Sequence, residues 1–147
     1  MPILPCVADM VVRAIWSEAN GDAGKTIMEA LRSAAASRNV AWTDLAISAT
    51  HTIVILTKGT VTAGSASAAA LVRLLKADQP FIFVFSVAGG WEFYGPERTG
   101  AHSLIDAALN ANEAMAYRAP VPEQMRYEHD AMVNEMFARL NKKSTNQ

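Results

Sequence analysis

Two apolar runs, Thr52-Ile-Val-Ile-Leu-Thr57 and Phe81-Ile-Phe-Val-Phe-Ser86, constrain the fold more than any other feature of this chain. Each is short, rich in β-branched or aromatic residues, and apolar at consecutive positions, the pattern of a strand buried on both faces. Between them, Ser65 to Asp78 carries Leu71, Leu74 and Leu75 at helical spacing, with Pro80 just past the end. Strand, helix, strand is the economical reading, and a right-handed crossover is its default geometry.

The alternation extends in both directions. Upstream, Met10 to Trp16 reads as a strand, Asn20 to Gly24 as a turn, and Thr26 to Ser37 as a helix with Ile27, Leu31, Ala34 and Ala35 on its apolar face. A second short helix is predicted from Trp42 to Ala49, feeding the Thr52 strand. Downstream, Gly89 to Pro96 mixes glycine, proline and aromatics, which marks a loop or a short edge element. Its rings Trp91, Phe93 and Tyr94 suit either contact with a partner or capping of a sheet edge. Ser103 to Asn110 reads as a helix, Ala114 to Tyr117 as a last strand, and Pro122 to Leu140 as a final helix. Met125, Met132, Met136 and Leu140 form one stripe of that helix, read as core packing rather than a binding groove. The expectation is an α/β, flavodoxin-like three-layer fold: a mostly parallel central sheet, helices on both faces, and ligands at the carboxyl ends of the strands. One domain spans residues 1–141, and residues 142–147 form a polar tail expected to fray.

Composition narrows the partners. A chain of 147 residues, 51% of them hydrophobic, is long enough for one real core. Thirteen scattered basic residues against fourteen acidic ones give no electrostatic footprint for nucleic acid. No apolar run is long enough to cross a bilayer and no signal peptide is visible, so a soluble cytoplasmic protein is expected. Cys6, His51, His102 and His129 have none of the spacings that zinc sites use, so no metal is expected.

Two segments bear on chemistry. Ala19-Asn-Gly-Asp-Ala-Gly-Lys-Thr26 follows a strand and opens a helix, as a phosphate-binding P-loop does, and Gly24-Lys25-Thr26 matches the end of that motif. The leading glycine is replaced by Ala19 and no later strand ends in a magnesium-binding aspartate, so an ordinary capped helix start competes with a small nucleotide-binding domain.

The second segment is longer. Thr52 to Gly59, a variable turn, Ala66-Ser-Ala-Ala-Ala-Leu-Val-Arg73 and the strand led by Pro80 resemble the centre of a TIR (Toll/interleukin-1 receptor) domain. There a strand ending in a Ser/Thr-containing turn leads to Trp-Cys-x-x-Glu-Leu, a helix and the next strand. Trp42 to Ala49, Ala107 to Arg118 and Tyr127 to Met132 are similar to flanking parts of the family, so the likeness runs from about Trp42 to Leu140. Before Trp42 the family has two strands and a mobile loop, whereas one strand is visible here. Either the second strand is compressed near Val40, or Asn20 to Gly24 is that loop.

The resemblance implies cleavage or cyclisation at the nicotinamide–ribose bond of NAD+, which is substrate rather than cofactor, in immune or cell-death signalling by a self-assembled homo-oligomer. A family glutamate beside the sugar stabilises the positive charge that develops as that bond breaks. Register from Pro80 puts the glutamate position at Ala70, and the preceding aromatic and cysteine at Ala66 and Ser67. Alanine supplies no charge and no acceptor, so the chain as written is expected to be an impaired NADase. Its origin stays open between a silent natural domain and a replaced glutamate, and plain helix packing also selects alanine there. Ser67, Trp42 and Lys58 are the expected substrate-pocket residues, beside the carboxyl end of the Thr52 strand. The alternative within the resemblance is a non-enzymatic scaffold that makes homotypic TIR–TIR contacts.

Overall fold

A computed structural model of the chain describes residues 10–18, 21–120 and 126–145. Five strands form one all-parallel sheet: β1 (Val11–Ile15), β2 (Ala41–Trp42), β3 (His51–Leu56), β4 (Phe81–Phe85) and β5 (Ala114–Ala116), in the order β2-β1-β3-β4-β5. The helices are α1 (Ala23–Ser37), α2 (Ala66–Ala77), a single turn α3 (Pro96–Thr99), α4 (Ser103–Ala111) and α5 (Arg126–Thr145). This is a flavodoxin-like α/β fold, with the central run of hydrophobic residues where the sequence expects it.

Alternation along the central strands builds two cores. Ile53 and Ile55 of β3 and Ile82 and Val84 of β4 face α1 and α5, meeting Leu31, Ala35, Met136 and Leu140. Val54, Leu56 and Phe83 face the opposite way, onto Leu71 and Leu74 of α2 and Ile105 and Leu109 of α4. Every residue of β3 is buried, as a strand covered by helices on both sides requires. Met132, Met136 and Leu140 are core residues, and the Met132 sulfur also accepts the Arg118 N–H at 2.9 Å. Met125 lies outside the described residues. Helix α5 continues through Lys142 and Lys143 to Thr145, into the segment expected to be a polar tail.

The boundaries of α2 follow from its ends. The Ser65 hydroxyl accepts the Ala68 N–H at 3.1 Å, satisfying one of the free amides of the first turn. At the other end Asp78 takes the left-handed conformation (φ 57°) that stops the helix before Pro80.

The helix expected from Trp42 to Ala49 does not form. Ala41 and Trp42 pair with Val11 and Val12 as the edge strand β2, directly after Val40, and only Ala46–Ser48 make a single 3-10 turn. The Thr43 hydroxyl accepts the Leu45 N–H at 3.1 Å and turns the chain away. Leu45 and Ile47, the large apolar residues there, are two positions apart, so no one helical face could bury both. They remain 62% and 94% exposed.

His51 introduces a pH dependence. Its side chain is 5% exposed, its Nδ1 lies 2.7 Å from the Thr50 hydroxyl, and its Nε2 is buried without a hydrogen-bond partner among the described residues. Burial lowers its pKa below the ordinary 6.5, because the charged imidazolium is denied water. The unfolded chain therefore takes up this proton first on acidification. The stabilisation is complete above about pH 6.5 and is lost as the pH falls towards the folded value. Urea midpoints of wild type and His51→Gln at pH 7.5 and pH 5 should show the larger acid loss in wild type. Equal losses would remove His51 as the source.

Candidate functional site

Among open parallel sheets, ligands bind outside the carboxyl ends of the strands where neighbouring crossovers leave on opposite faces. Here α1 leaves β1 on one face and α2 leaves β3 on the other, so that point lies between β1 and β3. Three features gather at this end of the sheet: a crevice, the β3–α2 turn, and the aromatic loop after β4.

The crevice has a volume of about 450 Å³ and runs from the first turns of α1 to the ends of β4 and β5. Ile27 and Phe85 give it apolar walls, while Thr26, Ser86 and Tyr117 bring hydroxyls. The described residues that line it include no carboxylate, imidazole or amine. Burial raises the pKa of Tyr117, so its phenol stays protonated well above neutral pH. Gly89 closes one side of the crevice, and its carbonyl accepts the Lys58 N–H at 3.0 Å, tying the crevice to the β3–α2 turn.

Helix α1 opens with Gly24-Lys25-Thr26 in its first turn. Asp22 stands at the cap position but makes no side-chain cap bond, so the expected capped start is a backbone arrangement, with the Thr26 N–H donated to the Asp22 carbonyl at 2.8 Å. Gly24 is buried against the preceding loop: a Cβ there would come within 2.7 Å of the Ser17 carbonyl oxygen. That contact accounts for the glycine. Alanine gains up to about 1 kcal/mol in helix propensity, yet overpacking costs about 1–3 kcal/mol because backbone must move, so Gly24→Ala should be net destabilising by up to about 2 kcal/mol. Denaturant unfolding reads the sign, and a more stable variant would refute the contact as the reason.

The β3–α2 turn is ordered by threonines and by a distant glutamate. The Thr60 hydroxyl accepts the Thr57 N–H at 3.0 Å and donates to the Ile55 carbonyl at 2.9 Å. Both Glu97 carboxylate oxygens accept the Gly59 N–H, at 3.0 and 2.9 Å, and one also accepts the Val61 N–H at 2.9 Å. Neither Thr60 nor Glu97 was singled out by the sequence. Only Pro96, a favoured first residue of a helical turn, marks the neighbourhood of Glu97.

Of the expected site residues, Lys58, Ser67 and Ala70 lie along the β3–α2 turn and the first turns of α2, and none of them lines the crevice. Lys58 is exposed immediately beyond β3. Ser67 is buried in the first turn of α2, donating to the Thr60 carbonyl at 2.7 Å, with the Ser65 hydroxyl 3.2 Å away. Ala70, one turn further along, is half-buried at the margin of the core between α2 and α4. Trp42 does not join them. It pairs with Val12, which pairs with His51 on its other side, so it stands two strands away and level with the amino end of β3. It packs on the α1 side of the sheet.

The aromatic loop divides. Trp91 is buried and stacks edge-on with Phe93, which meets Phe85 in the same way, so these two rings cap the sheet. Tyr94 is exposed, with the Arg98 guanidinium 5.8 Å from its ring centre. Among the described residues, no group of three His, Cys, Asp or Glu could hold a metal ion, and no helix is long and apolar enough to cross a membrane.

Comparison with known protein families, with characterised proteins and with solved structures finds no match.

Proposed function

We propose that this chain is a TIR-like domain of the NAD+-cleaving type that is catalytically silent as written and works by associating with further copies of itself, in immune or cell-death signalling. The observation that carries the reading is Ala70. It sits on the helix that follows β3, one turn past Ser67, at the position where the resemblance calls for a glutamate. Helix α2 holds no Asp or Glu at all, so no neighbouring carboxylate on it takes over the role. Without a negative group beside the ribose, the developing charge of the nicotinamide–ribose cleavage is unsupported.

The order of elements fits the reading. Two strands precede β3, with the second compressed to Ala41–Trp42 next to Val40, one of the two arrangements that the resemblance leaves open. Exposed Leu45 and Ile47 follow that second strand and offer apolar surface that association would withdraw from water. The scaffold alternative draws on the same two residues and differs in requiring no nucleotide.

Two measurements test the proposal. Incubation with NAD+ at high protein concentration should release no nicotinamide above the uncatalysed background. Analytical ultracentrifugation should show larger species as concentration rises, reduced in Ile47→Asp. Turnover by the unaltered chain would contradict the silence, and a strict monomer at every concentration would contradict the association.

A further inference from the structure

The turn between β3 and α2 spends its amides in alternation. Lys58, Thr60 and Thr62 donate to the carbonyls of Gly89, Thr57 and Gly59, whereas Gly59 and Val61 donate only to the Glu97 carboxylate among the described residues. Gly59 has φ +100°, a conformation that glycine adopts without strain and that helps its amide and the Val61 amide converge on one point. Convergent backbone N–H groups of this kind make an anion-binding concavity. The exposed Lys58, one residue back, adds a positive charge beside it.

From this arrangement we infer that the β3–α2 turn is an oxyanion site for a phosphate-bearing ligand, held shut by Glu97 as an internal ligand. Two observations separate this from a merely structural clamp. The turn leaves the carboxyl end of β3, one of the two strands that flank the point where α1 and α2 depart on opposite faces, and such sheets take ligands at that end. The segment that carries Glu97 also has its own anchor. Arg98 donates to Asp106 at 3.0 Å, to the Phe93 carbonyl at 2.9 Å and to Asn110, so α3 is held without the glutamate. Releasing Glu97 therefore frees two aligned amides without releasing the helix turn. An incoming phosphate displaces a carboxylate of like geometry and takes over its three hydrogen bonds, with no covalent step. The inference goes beyond the proposed function and does not rest on it, since the Gly59 and Val61 amides and Glu97 have no part in the NAD+ reading.

The test is an NMR titration of the whole chain with inorganic phosphate, using chloride at matched ionic strength as control. In Glu97→Ala the Gly59 and Val61 amide signals should shift saturably with phosphate and remain unmoved by chloride. Wild type should need about tenfold more phosphate or greater, because a tethered carboxylate competes at a millimolar or higher effective concentration. Indifference of both amides in a folded Glu97→Ala chain overturns the site. If that variant fails to fold, wild type at high phosphate decides: the same two amides either shift selectively, which supports the site, or do not, which overturns it.

Discussion

Phe83→Ala should cost this protein about 3–5 kcal/mol, the range for emptying a fully buried aromatic site. Phe83 is 0% exposed in the middle of β4, between Val54 of β3 and Ala114 of β5. Its ring meets Phe81 edge-on at 5.1 Å and fills the space under α2 and α4. The small Ala114 beside it cannot expand into the void, and sheet pairing on both sides prevents the strands from closing over it. Since domains are stable by only about 5–15 kcal/mol, such a loss is a large share of the total and should lower the melting temperature by roughly 10 °C or more. Phe81→Ala, at the half-buried start of the strand, should lose roughly half as much, in proportion to the smaller area withdrawn from water. Equal losses would show that the two rings share the core evenly, contrary to their burial.

The same burial explains which parts of the fold were legible from residues alone. The β3 and β4 runs are apolar at consecutive positions because helices cover both their faces, and α2 announces itself by Leu71 and Leu74 together with Ser65 and Asp78 at its ends. Strand β2 has two residues and one partner, so it leaves no periodicity to read. Its neighbours Asp44 to Ser48 mimic a short helix in composition, but no buried stripe backs them. Lys58, Ser67 and Ala70 follow one another along a single turn and the helix it opens, so their order is readable from the chain alone. Trp42 was misplaced because the level of an edge strand is set by the crossover that delivers it, and that register is not written in the strand. Glu97 was missed for a related reason: it reaches amides 38 and 36 positions earlier, and a carboxylate received by backbone leaves no side-chain signature in its partners.

The proposal that Ala70 stands where a catalytic glutamate would is tested most directly by Ala70→Glu. Side chains on a helix lean towards its amino terminus, and α2 begins at Ala66, one residue before Ser67, after the turn that leaves the carboxyl end of β3. A glutamate at this position therefore reaches back over the turn rather than along the helix. The half-buried setting of Ala70 lets such a carboxylate keep part of its water, at a stability loss of about 1–2 kcal/mol that a melting curve would register. A single charge or donor aligned with the transition state is worth on the order of 100- to 1,000-fold in rate. The measurement is nicotinamide release from NAD+ by folded, concentrated Ala70→Glu, against the wild-type chain and the uncharged Ala70→Gln. Release at about 100 times the wild-type background or more, with Ala70→Gln at background, is the predicted result. Intact NAD+ in the presence of a folded, self-associated Ala70→Glu chain would contradict the account.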